Sequence, residues 1–229
     1  MDKSINTKNR KANDYIRSLI GRSYTRFRKF DEYKKVEGDF ERITIRSDCA
    51  DVFVKAWNTN EIEASFYGEA FTDEMPTFII EKKYREVVII LNDASIISNL
   101  VLVVCIPARM FKAIKVTNTS DVTLNYGVQA KKIRISTANG NLRSESEFEE
   151  LSLTTQNGDI KVFANARNDV EIQATTQSGN VSVKLLNIAM INLWAYANKG
   201  KKTNRFCSYR DGFNACVRAI SRNGDVTIE

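Results

Sequence analysis

A unit of about 20 residues recurs through the second part of the chain, and it limits the possible folds more than any other feature. Each copy begins with alternating apolar residues and continues with Ser or Thr, polar residues, Gly, and then Asp or Asn. A second pair of alternating apolar residues ends the copy. The four clearest copies span residues 133–142, 151–162, 171–183 and 217–228. A fixed period in an all-β pattern is typical of a solenoid, in which stacked coils bury one continuous core.

The glycines of the repeat are regularly spaced. They lie 18 to 24 residues apart and are Gly140, Gly158, Gly179, Gly200 and Gly224. Counted from the glycine, positions −7, −5, −3, +2 and +4 are predicted to face the core, because side chains alternate along a strand. For the copy around Gly158 these positions hold Leu151, Leu153, Thr155, Ile160 and Val162. The copy around Gly200 is degenerate, because Lys202 and Asn204 occupy two of its inward positions.

An antiparallel meander is the competing architecture. Asn-Gly pairs at 139–140, 157–158 and 223–224 are also a strong short-range signal for a β-hairpin. In either architecture a tight corner favours glycine, because glycine accepts a positive φ. The recurrence of the complete unit favours the coil. We therefore predict an all-β fold, a β-solenoid of repeats about 20 residues long with a short basic N-terminal α-helix.

The positive charge of the chain is concentrated near its beginning. The chain has 34 Lys and Arg against 28 Asp and Glu, a formal charge of +6. Residues 1–36 hold eleven basic and four acidic side chains, whereas residues 37–229 are close to neutral. We divide the chain into a basic N-terminal segment, 1–36, and a single β-solenoid domain, 37–229. Within this domain, 37–110 is less regular and 111–229 carries the regular repeats.

Residues 14–30 are predicted to form an amphipathic helix. Apolar side chains recur there at three- and four-residue spacing, at Ile16, Leu19, Ile20, Tyr24, Phe27 and Phe30. The basic flank supplies the candidate interaction residues Arg17, Arg22, Arg26, Arg28 and Lys29. Such a helix caps its own core, lies on an anionic membrane surface or binds nucleic acid. We favour the cap and rank nucleic acid last, because no recognisable nucleic-acid-binding fold follows.

Residues 199–213 interrupt the repeat and lengthen one coil to 24 residues. The segment combines cations with aromatic side chains, a composition that suits a protein interface. Insertions in repeat proteins often lie on the binding face, and a merely tolerated surface insertion is the equal alternative. The candidate interaction residues are Lys201, Lys202, Arg205, Phe206, Tyr209, Arg210 and Phe213. The predicted partner is another protein or a second copy of the chain.

The chain contains no histidine. This excludes Ser-His-Asp and Cys-His nucleophiles and histidine-ligated zinc. Asp and Asn alternate after the repeat glycines, and Asx turns explain them better than calcium does. The carboxylates within 145–150 would suit a β-helical carbohydrate-active enzyme, but acidic residues on an exposed strand are usually only solvated. We predict no catalytic residue, no metal site and no cofactor, and hence a protein that is not an enzyme.

Cysteine usage and the first residues indicate a reducing compartment. The four cysteines include no C-x-x-C pair, so we expect thiols rather than a metal site or disulfides. Residues 1–15 contain no apolar leader, and the longest apolar run, 100–106, is only long enough for a strand. The predicted location is the cytoplasm, with peripheral association at the inner face of the membrane as the alternative.

The repeat units, preceded by a V-x-I-P strand end at residues 104–107, resemble the bacterial putative adhesin family. The resemblance covers about residues 40–229. It implies a β-strand-repeat domain of unknown biochemical function that binds at the cell surface or regulates the envelope. Together with the residues, it predicts a non-enzymatic interaction scaffold or adhesin-like binding module. A peripheral membrane or nucleic-acid binder that uses the basic helix is the alternative.

Overall fold

Nineteen β-strands and no helix make up the part of the chain that the structure describes. The computed structural model describes residues 27–71, 75–92, 98–165, 169–187, 190–207 and 215–229. In chain order the strands are β1 (Phe27–Glu37), β2 (Arg42–Ser47), β3 (Ala50–Trp57), β4 (Glu61–Phe71), β5 (Thr77–Lys83), β6 (Glu86–Asn92), β7 (Ser98–Pro107), β8 (Met110–Asn118), β9 (Val122–Leu124), β10 (Gln129–Thr137), β11 (Leu142–Ser144), β12 (Glu147–Asn157), β13 (Ile160–Asn165), β14 (Val170–Ser178), β15 (Val181–Leu186), β16 (Ile191–Ala197), β17 (Lys202–Asn204), β18 (Ala215–Ser221) and β19 (Val226–Ile228).

The strands form two sheets that face each other across one core. The ten-stranded sheet has the order β1-β4-β7-β3-β9-β11-β13-β15-β19-β17, and the nine-stranded sheet has the order β16-β18-β14-β12-β10-β8-β2-β6-β5. From β8 to β19 each coil gives one strand to each sheet, and its neighbours pair with it in parallel. Parallel stacking of whole coils confirms the β-solenoid for the repeats and rules out the meander.

Side chains at the predicted inward positions are buried between the sheets. In the copy around Gly158 the five inward residues are at most 1% exposed: Leu151, Leu153, Thr155, Ile160 and Val162. Leu151 pairs with Ile172 of the next coil, and Ile160 pairs with Val181. A single coil cannot bury these side chains alone, so the core depends on the stacking of neighbours.

The repeat glycines allow the turns of neighbouring coils to touch. A Cβ atom added to Gly158 would lie 2.1 Å from the carbonyl oxygen of Gly140, and one added to Gly179 would lie equally close to that of Gly158. Gly200 and Gly224 are packed against a neighbouring turn in the same way. Positive φ is not the shared requirement, because Gly140, Gly200 and Gly224 lack it. Close backbone approach, rather than the positive φ expected from the sequence, therefore selects glycine.

A hydroxyl three residues before the glycine fixes the same turn. Thr155 donates a hydrogen bond to the carbonyl oxygen of Gly140 over 3.0 Å, and Thr176 donates to that of Gly158 over the same distance. Ser221 repeats the contact one coil further on. These bonds satisfy carbonyl groups that stacking removes from water. This explains why the repeat has Ser or Thr at an otherwise apolar inward position.

The last coil in the sequence is not the last coil of the solenoid. β18 lies between β14 and β16, and β19 lies between β15 and β17. The coil of β18 and β19 thus fills a gap between two earlier coils, and β16 with β17 forms the end coil. Lys202 and Asn204 of β17 are exposed, in register with the buried Val226 and Ile228. The polar residues that make the Gly200 copy degenerate therefore suit an edge strand.

Antiparallel strands close the opposite end. β1 pairs with β4 and β4 with β7 in one sheet, while β5 pairs with β6 in the other. Phe30 of β1 is buried with its ring centre 6.3 Å from that of Phe66. The predicted helix is therefore wrong at residues 27–30, where pairing with β4 overrides the helical spacing. Residues 14–26 of that helix lie outside the described residues. Within the described residues, antiparallel strands cap this end of the solenoid.

The described ranges contain neither a membrane-spanning helix nor a disulfide. No helix in these ranges is long and apolar enough to cross a bilayer. The four cysteines, all of which are described, are free thiols. Cys105 and Cys216 are half-buried, and Cys207 is exposed.

Candidate functional site

The outer face of the ten-stranded sheet carries a groove that crosses β3, β9, β11 and β13. Two adjoining shallow, open depressions share Thr123 and Arg143. The larger is lined by Phe53, Thr123, Asn125, Tyr126, Arg143 and Glu145. The smaller adds Asp121, Asn141, Leu142, Asp159 and Lys161. We call the combined surface the β9–β11 groove.

Short strands position the side chains of the groove. β9 and β11 have three residues each, so each presents one outward side chain, Thr123 or Arg143. Phe53 of β3 lies beside Thr123 in register. Tyr126 lines the same depression from the loop after β9, where Gly127 has a φ of 88° that suits glycine.

Arg143 is held in a defined orientation at the centre of the groove. Its Nε donates a hydrogen bond to Glu145 Oε1 over 2.8 Å, and its Nη2 contacts the same carboxylate. Its Cζ lies 5.5 Å from the centre of the Phe163 ring. A guanidinium has five N–H donors, so this ion pair leaves donors for a bound molecule. The restrained side chain also loses less entropy when a ligand binds.

The β9–β11 groove combines accessible aromatic rings with hydrogen-bonding groups. Phe53 is 37% exposed and Tyr126 is 77% exposed. Thr123 contributes a hydroxyl, Asn125 an amide and Arg143 a guanidinium. Basic and acidic side chains are both present, so the groove has no strong preference for an anion or a cation. Because aromatic faces pack on apolar C–H groups and the polar groups pair with hydroxyls, the arrangement suits a neutral polyhydroxylated ring.

Comparison with known proteins identifies the fold family. Residues 104–229, more than half of the chain, match the family described as Toastrack DUF4097. The chain belongs to this family. The matched residues include all the coils from β8 to β19 and most of the groove. No curated protein matches the chain.

Several solved structures resemble the chain at low sequence identity. One, described as a putative cell adhesion protein from Clostridium sporogenes, has a TM-score of 0.57 and 13% identity, and the match covers 88% of this chain and 99% of that one. A putative adhesin from Bacteroides fragilis has a TM-score of 0.48 and 11% identity, with 88% and 97% covered. A putative lipid binding protein from Parabacteroides distasonis has a TM-score of 0.39 and 10% identity, with 87% and 96% covered. The first of these shows a shared fold.

Two basic residues of the predicted helix, Arg28 and Lys29, lie within the described part of the Toastrack chain. Neither lines the β9–β11 groove. Arg28 and Lys29 lie on β1, and the exposed Lys29 ammonium is 3.8 Å from the Glu69 carboxylate. Because both residues belong to a strand, the helical basic stripe is not formed there. The other members of that stripe lie outside the described residues: Arg17, Arg22 and Arg26.

The described part of the predicted interaction segment, residues 199–207, lies on the end coil of the Toastrack chain. Lys202 belongs to β17, and Arg205 forms an ion pair of 3.3 Å with Glu229. Lys201 is exposed, whereas Phe206 is half-buried and packs against the core. Three further candidates lie outside the described residues: Tyr209, Arg210 and Phe213. The interaction hypothesis for this segment therefore stays a prediction.

Sequence reasoning missed the groove residues of the Toastrack chain, although a signal for them existed. Phe53 occupies an outward position of an alternating strand, and Tyr126 is exposed in a loop. Large aromatic side chains at solvent-facing positions are typical of binding surfaces. Only the register between distant strands brings these residues to one groove.

The two aspartates along the groove, Asp121 and Asp159, belong to a ladder of hydrogen bonds, which we call the Asx ladder. Each member except the last accepts the backbone N–H of the next member through Oδ1 over 2.7–3.2 Å. In spatial order the members are Asp51, Asp121, Asn141, Asp159, Asn180 and Asp225. Asp and Asn alternate along the ladder except at its start, where the carboxylates of Asp51 and Asp121 are adjacent. Among the described residues, no group of three or more Cys, Asp or Glu is placed to hold a metal ion.

Asp51→Asn is expected to stabilise the Toastrack fold at neutral pH. Burial, and then the charge of Asp121, raise the pKa of the Asp51 carboxyl above its usual value of 3.8. The folded state therefore disfavours the charged form, so stability falls as the pH rises through the titration of Asp51. Asn keeps the Oδ1 acceptor for the Asp121 N–H. Urea denaturation should show a free energy of unfolding that is higher by about 0.5–1 kcal/mol.

Asp159→Asn is the matched control for Asp51→Asn. Both ladder neighbours of Asp159 are asparagines, so its substitution relieves no repulsion between adjacent carboxylates and should give no gain. Well below pH 3.8 the effect of Asp51→Asn should vanish, because Asp51 is then protonated in the folded and unfolded states. A gain that is equal at acid and neutral pH would contradict the charge explanation.

Proposed function

We propose that this Toastrack chain is a non-enzymatic, adhesin-like binding module that holds a neutral oligosaccharide in the β9–β11 groove. The observation that carries the proposal is the pair of exposed rings, Phe53 and Tyr126, beside the oriented guanidinium of Arg143. A sugar ring has apolar C–H faces surrounded by hydroxyls, which match aromatic faces and fixed hydrogen-bonding groups. One structure of the same fold is described as a putative cell adhesion protein, and this supports a binding role.

The direction of the groove suits a linear chain of sugars. Phe53, Thr123, Arg143 and Lys161 form one row in register across four neighbouring strands. Neighbouring strands in a sheet are about 4.8 Å apart, so a linear ligand can contact equivalent positions on successive coils. In this proposal the Gly-Asp-Val/Ile repeat, which we take as the family signature, builds the scaffold. The outward side chains on the strands of the repeat bind the sugar.

The carboxylates near the groove are engaged in structural contacts, which supports binding without turnover. Glu145 forms an ion pair with Arg143, and Asp121 and Asp159 accept backbone N–H groups in the Asx ladder. A glycoside hydrolase needs a carboxylic acid that protonates the leaving oxygen and a second carboxylate on the other side of the scissile bond. We therefore assign these carboxylates to the scaffold rather than to catalysis.

Isothermal titration calorimetry with neutral cello-, malto- and chito-oligosaccharides tests the proposal. Phe53→Ala and Tyr126→Ala are each expected to raise the Kd of the tightest ligand by about 2- to 12-fold, because an aromatic contact contributes about 0.5–1.5 kcal/mol. Arg143→Ala is expected to raise it by about 10- to 150-fold, since hydrogen bonds from a charged group contribute about 1.5–3 kcal/mol.

Tyr84→Ala is the matched control for the aromatic variants. Tyr84 is 98% exposed and lies in the turn between β5 and β6 of the other sheet, so its substitution should leave the Kd unchanged. Unchanged affinity in all three groove variants, or no binding of any neutral sugar, would contradict the groove assignment. Release of shorter sugars from the bound ligand, detected by chromatography, would contradict the non-enzymatic assignment.

A further inference from the structure

Two aromatic side chains and a methionine are exposed along one edge of the solenoid, away from the β9–β11 groove. Tyr84 is 98% exposed, Trp57 55% and Met110 48%. Tyr84 lies in the turn between β5 and β6, Trp57 ends β3, and Met110 begins β8. We call the surface formed by these three side chains and the turns that carry them the aromatic edge.

Backbone hydrogen bonds join the turns of the aromatic edge. β6, β2 and β8 are parallel neighbours in the nine-stranded sheet, so all three begin on the same side. The carbonyl oxygen of Arg85 accepts the N–H of Glu41 over 2.8 Å, and that of Glu41 accepts the N–H of Lys112 over the same distance. The N–H of Ala108 donates to the carbonyl oxygen of Trp57 over 3.1 Å. The three exposed side chains therefore lie along one continuous edge.

Tyr84 has a backbone conformation that glycine or asparagine usually adopts. Its φ is 57°, in the left-handed region, where a bulky side chain is strained. Its side chain is almost completely exposed, so it adds no core packing that would offset this strain. A strained and exposed aromatic residue at the tip of a hairpin favours a role in binding a partner.

The aromatic edge carries an excess of positive charge. Seven basic and three acidic side chains belong to the four segments that form it. These segments are residues 39–42, 55–57, 82–86 and 107–112. The Glu41 carboxylate contacts two of the cations, Arg85 and Lys112, so one negative charge is shared between two positive ones. The ammonium of Lys55 lies 5.3 Å from the centre of the Trp57 ring. Cations beside exposed rings complement a surface that is anionic outside and apolar beneath.

We propose that the aromatic edge binds the surface of an anionic lipid bilayer. Tyr and Trp are suited to a membrane interface, because each has an apolar ring and a polar O–H or N–H. Lys and Arg side chains beside them attract anionic headgroups. In the bound state Trp57, Met110 and Tyr84 enter the headgroup layer, and cations such as Arg85 and Lys112 contact the surrounding phosphates.

The separation of the three side chains favours a bilayer over a protein partner. Met110 begins β8 and Tyr84 precedes β6, two strands away, so they lie about 10 Å apart along the sheet. A protein partner needs a surface whose shape matches each exposed side chain. A fluid interface accepts separated side chains without such a match. None of the three lines the groove, so this proposal does not depend on the proposed function.

Tryptophan fluorescence tests which surface of the full chain meets the bilayer. The chain has two tryptophans, Trp57 on the aromatic edge and Trp194 on β16, the edge strand of the end coil. In Trp194→Phe the remaining Trp57 should shift its emission to shorter wavelength when mixed phosphatidylcholine and phosphatidylglycerol vesicles are added. In Trp57→Phe, which keeps an aromatic ring on the edge, the emission of Trp194 should not shift.

Co-sedimentation with the same vesicles measures the contribution of the rings. Trp57→Ala/Tyr84→Ala is expected to lower the partition coefficient about 10-fold, because two aromatic side chains no longer enter the apolar layer. Trp194→Ala/Tyr196→Ala is the matched control, since it removes the same residue types from exposed positions of β16, and it should leave the coefficient unchanged. Wild-type binding should weaken as salt is added and should be weaker to pure phosphatidylcholine.

Tyr84→Asn separates membrane binding from folding. Asparagine adopts a positive φ more readily than tyrosine, so this variant should unfold at a higher urea concentration than the wild-type chain. Its partition coefficient should nevertheless be lower. A loss of binding in a more stable chain cannot result from unfolding.

An unchanged partition coefficient in Trp57→Ala/Tyr84→Ala would overturn the proposal. Residues 1–26, which hold seven basic and two acidic side chains and are present in every variant, would then account for any binding. Equal emission shifts at Trp57 and Trp194, or no binding of the wild-type chain to the anionic vesicles, would also overturn it. No sugar enters these measurements, so this proposal and the groove proposal can fail independently.

Discussion

Gly158→Ala is expected to lower the free energy of unfolding by more than about 3 kcal/mol, or to prevent folding. The added methyl group would lie 2.1 Å from the carbonyl oxygen of Gly140 and 2.5 Å from its carbonyl carbon. Both are backbone atoms that the stacked turn holds in place. Relief of the overlap requires the two coils to separate, which also breaks the hydrogen bond from Thr155 to the same oxygen. Urea denaturation followed by circular dichroism measures the loss.

Gln156→Ala is the control for this turn. Gln156 is exposed two residues before the glycine, and its substitution should change the free energy of unfolding by less than about 0.5 kcal/mol. If Gly158→Ala were as mild as this control, the turns of neighbouring coils could not be in contact. Close backbone approach would then not be the reason for glycine in the repeat.

Ile228→Ala is expected to lower the free energy of unfolding by about 2–5 kcal/mol. Residues so near the end of a sequence usually tolerate substitution. Ile228 is instead fully buried, because β19 lies inside the sheet between β15 and β17. Its partners in register are Val183 of β15 and Asn204 of β17. Its truncation leaves a cavity between two coils. Denaturant titration of the purified variant measures the effect.

Thr203→Ala provides the surface control for Ile228→Ala. Thr203 lies on β17, the edge strand next to β19, and is exposed. Its substitution should change the free energy of unfolding by less than about 0.5 kcal/mol, as for other surface sites. A small loss for Ile228→Ala, no larger than that for Thr203→Ala, would place the coil of β18 and β19 at the end of the solenoid.

The repeat pattern predicts what each coil buries but not the order in which coils stack. The burial of residues such as Leu151 and Ile160 follows directly from alternation around the glycine. The copies are nearly interchangeable, so nothing local specifies that the turn of Gly224 packs on that of Gly179. The one indication is the polar inward residues of the Gly200 copy, which an edge strand tolerates and an interior strand does not.

Residues 27–30 show why the helix prediction failed there. Phe27 and Phe30 fit a helical stripe, but Phe30 and Val36 also fit the alternation of a strand. Over so few residues, helical spacing and strand alternation fit the sequence about equally well. Continuous pairing of β1 with β4 from Phe27 to Glu37 decides between them.

The groove depends on register more than on local sequence. Phe53, Thr123 and Arg143 lie in one row although they are distant along the chain. The basic clusters are conspicuous in the sequence because their members are adjacent there. In the structure Arg205 and Lys29 form exposed ion pairs with Glu229 and Glu69, which contribute little on their own.

Amide chemical-shift mapping with the tightest-binding neutral oligosaccharide tests the binding proposal most directly. Titration of the isotope-labelled full chain reports contacts at every backbone position without prior choice of a site. We predict that the largest shifts fall at Phe53, Thr123, Tyr126 and Arg143, with smaller shifts across β13. Shifts confined to residues 199–207 of the end coil would contradict the groove assignment.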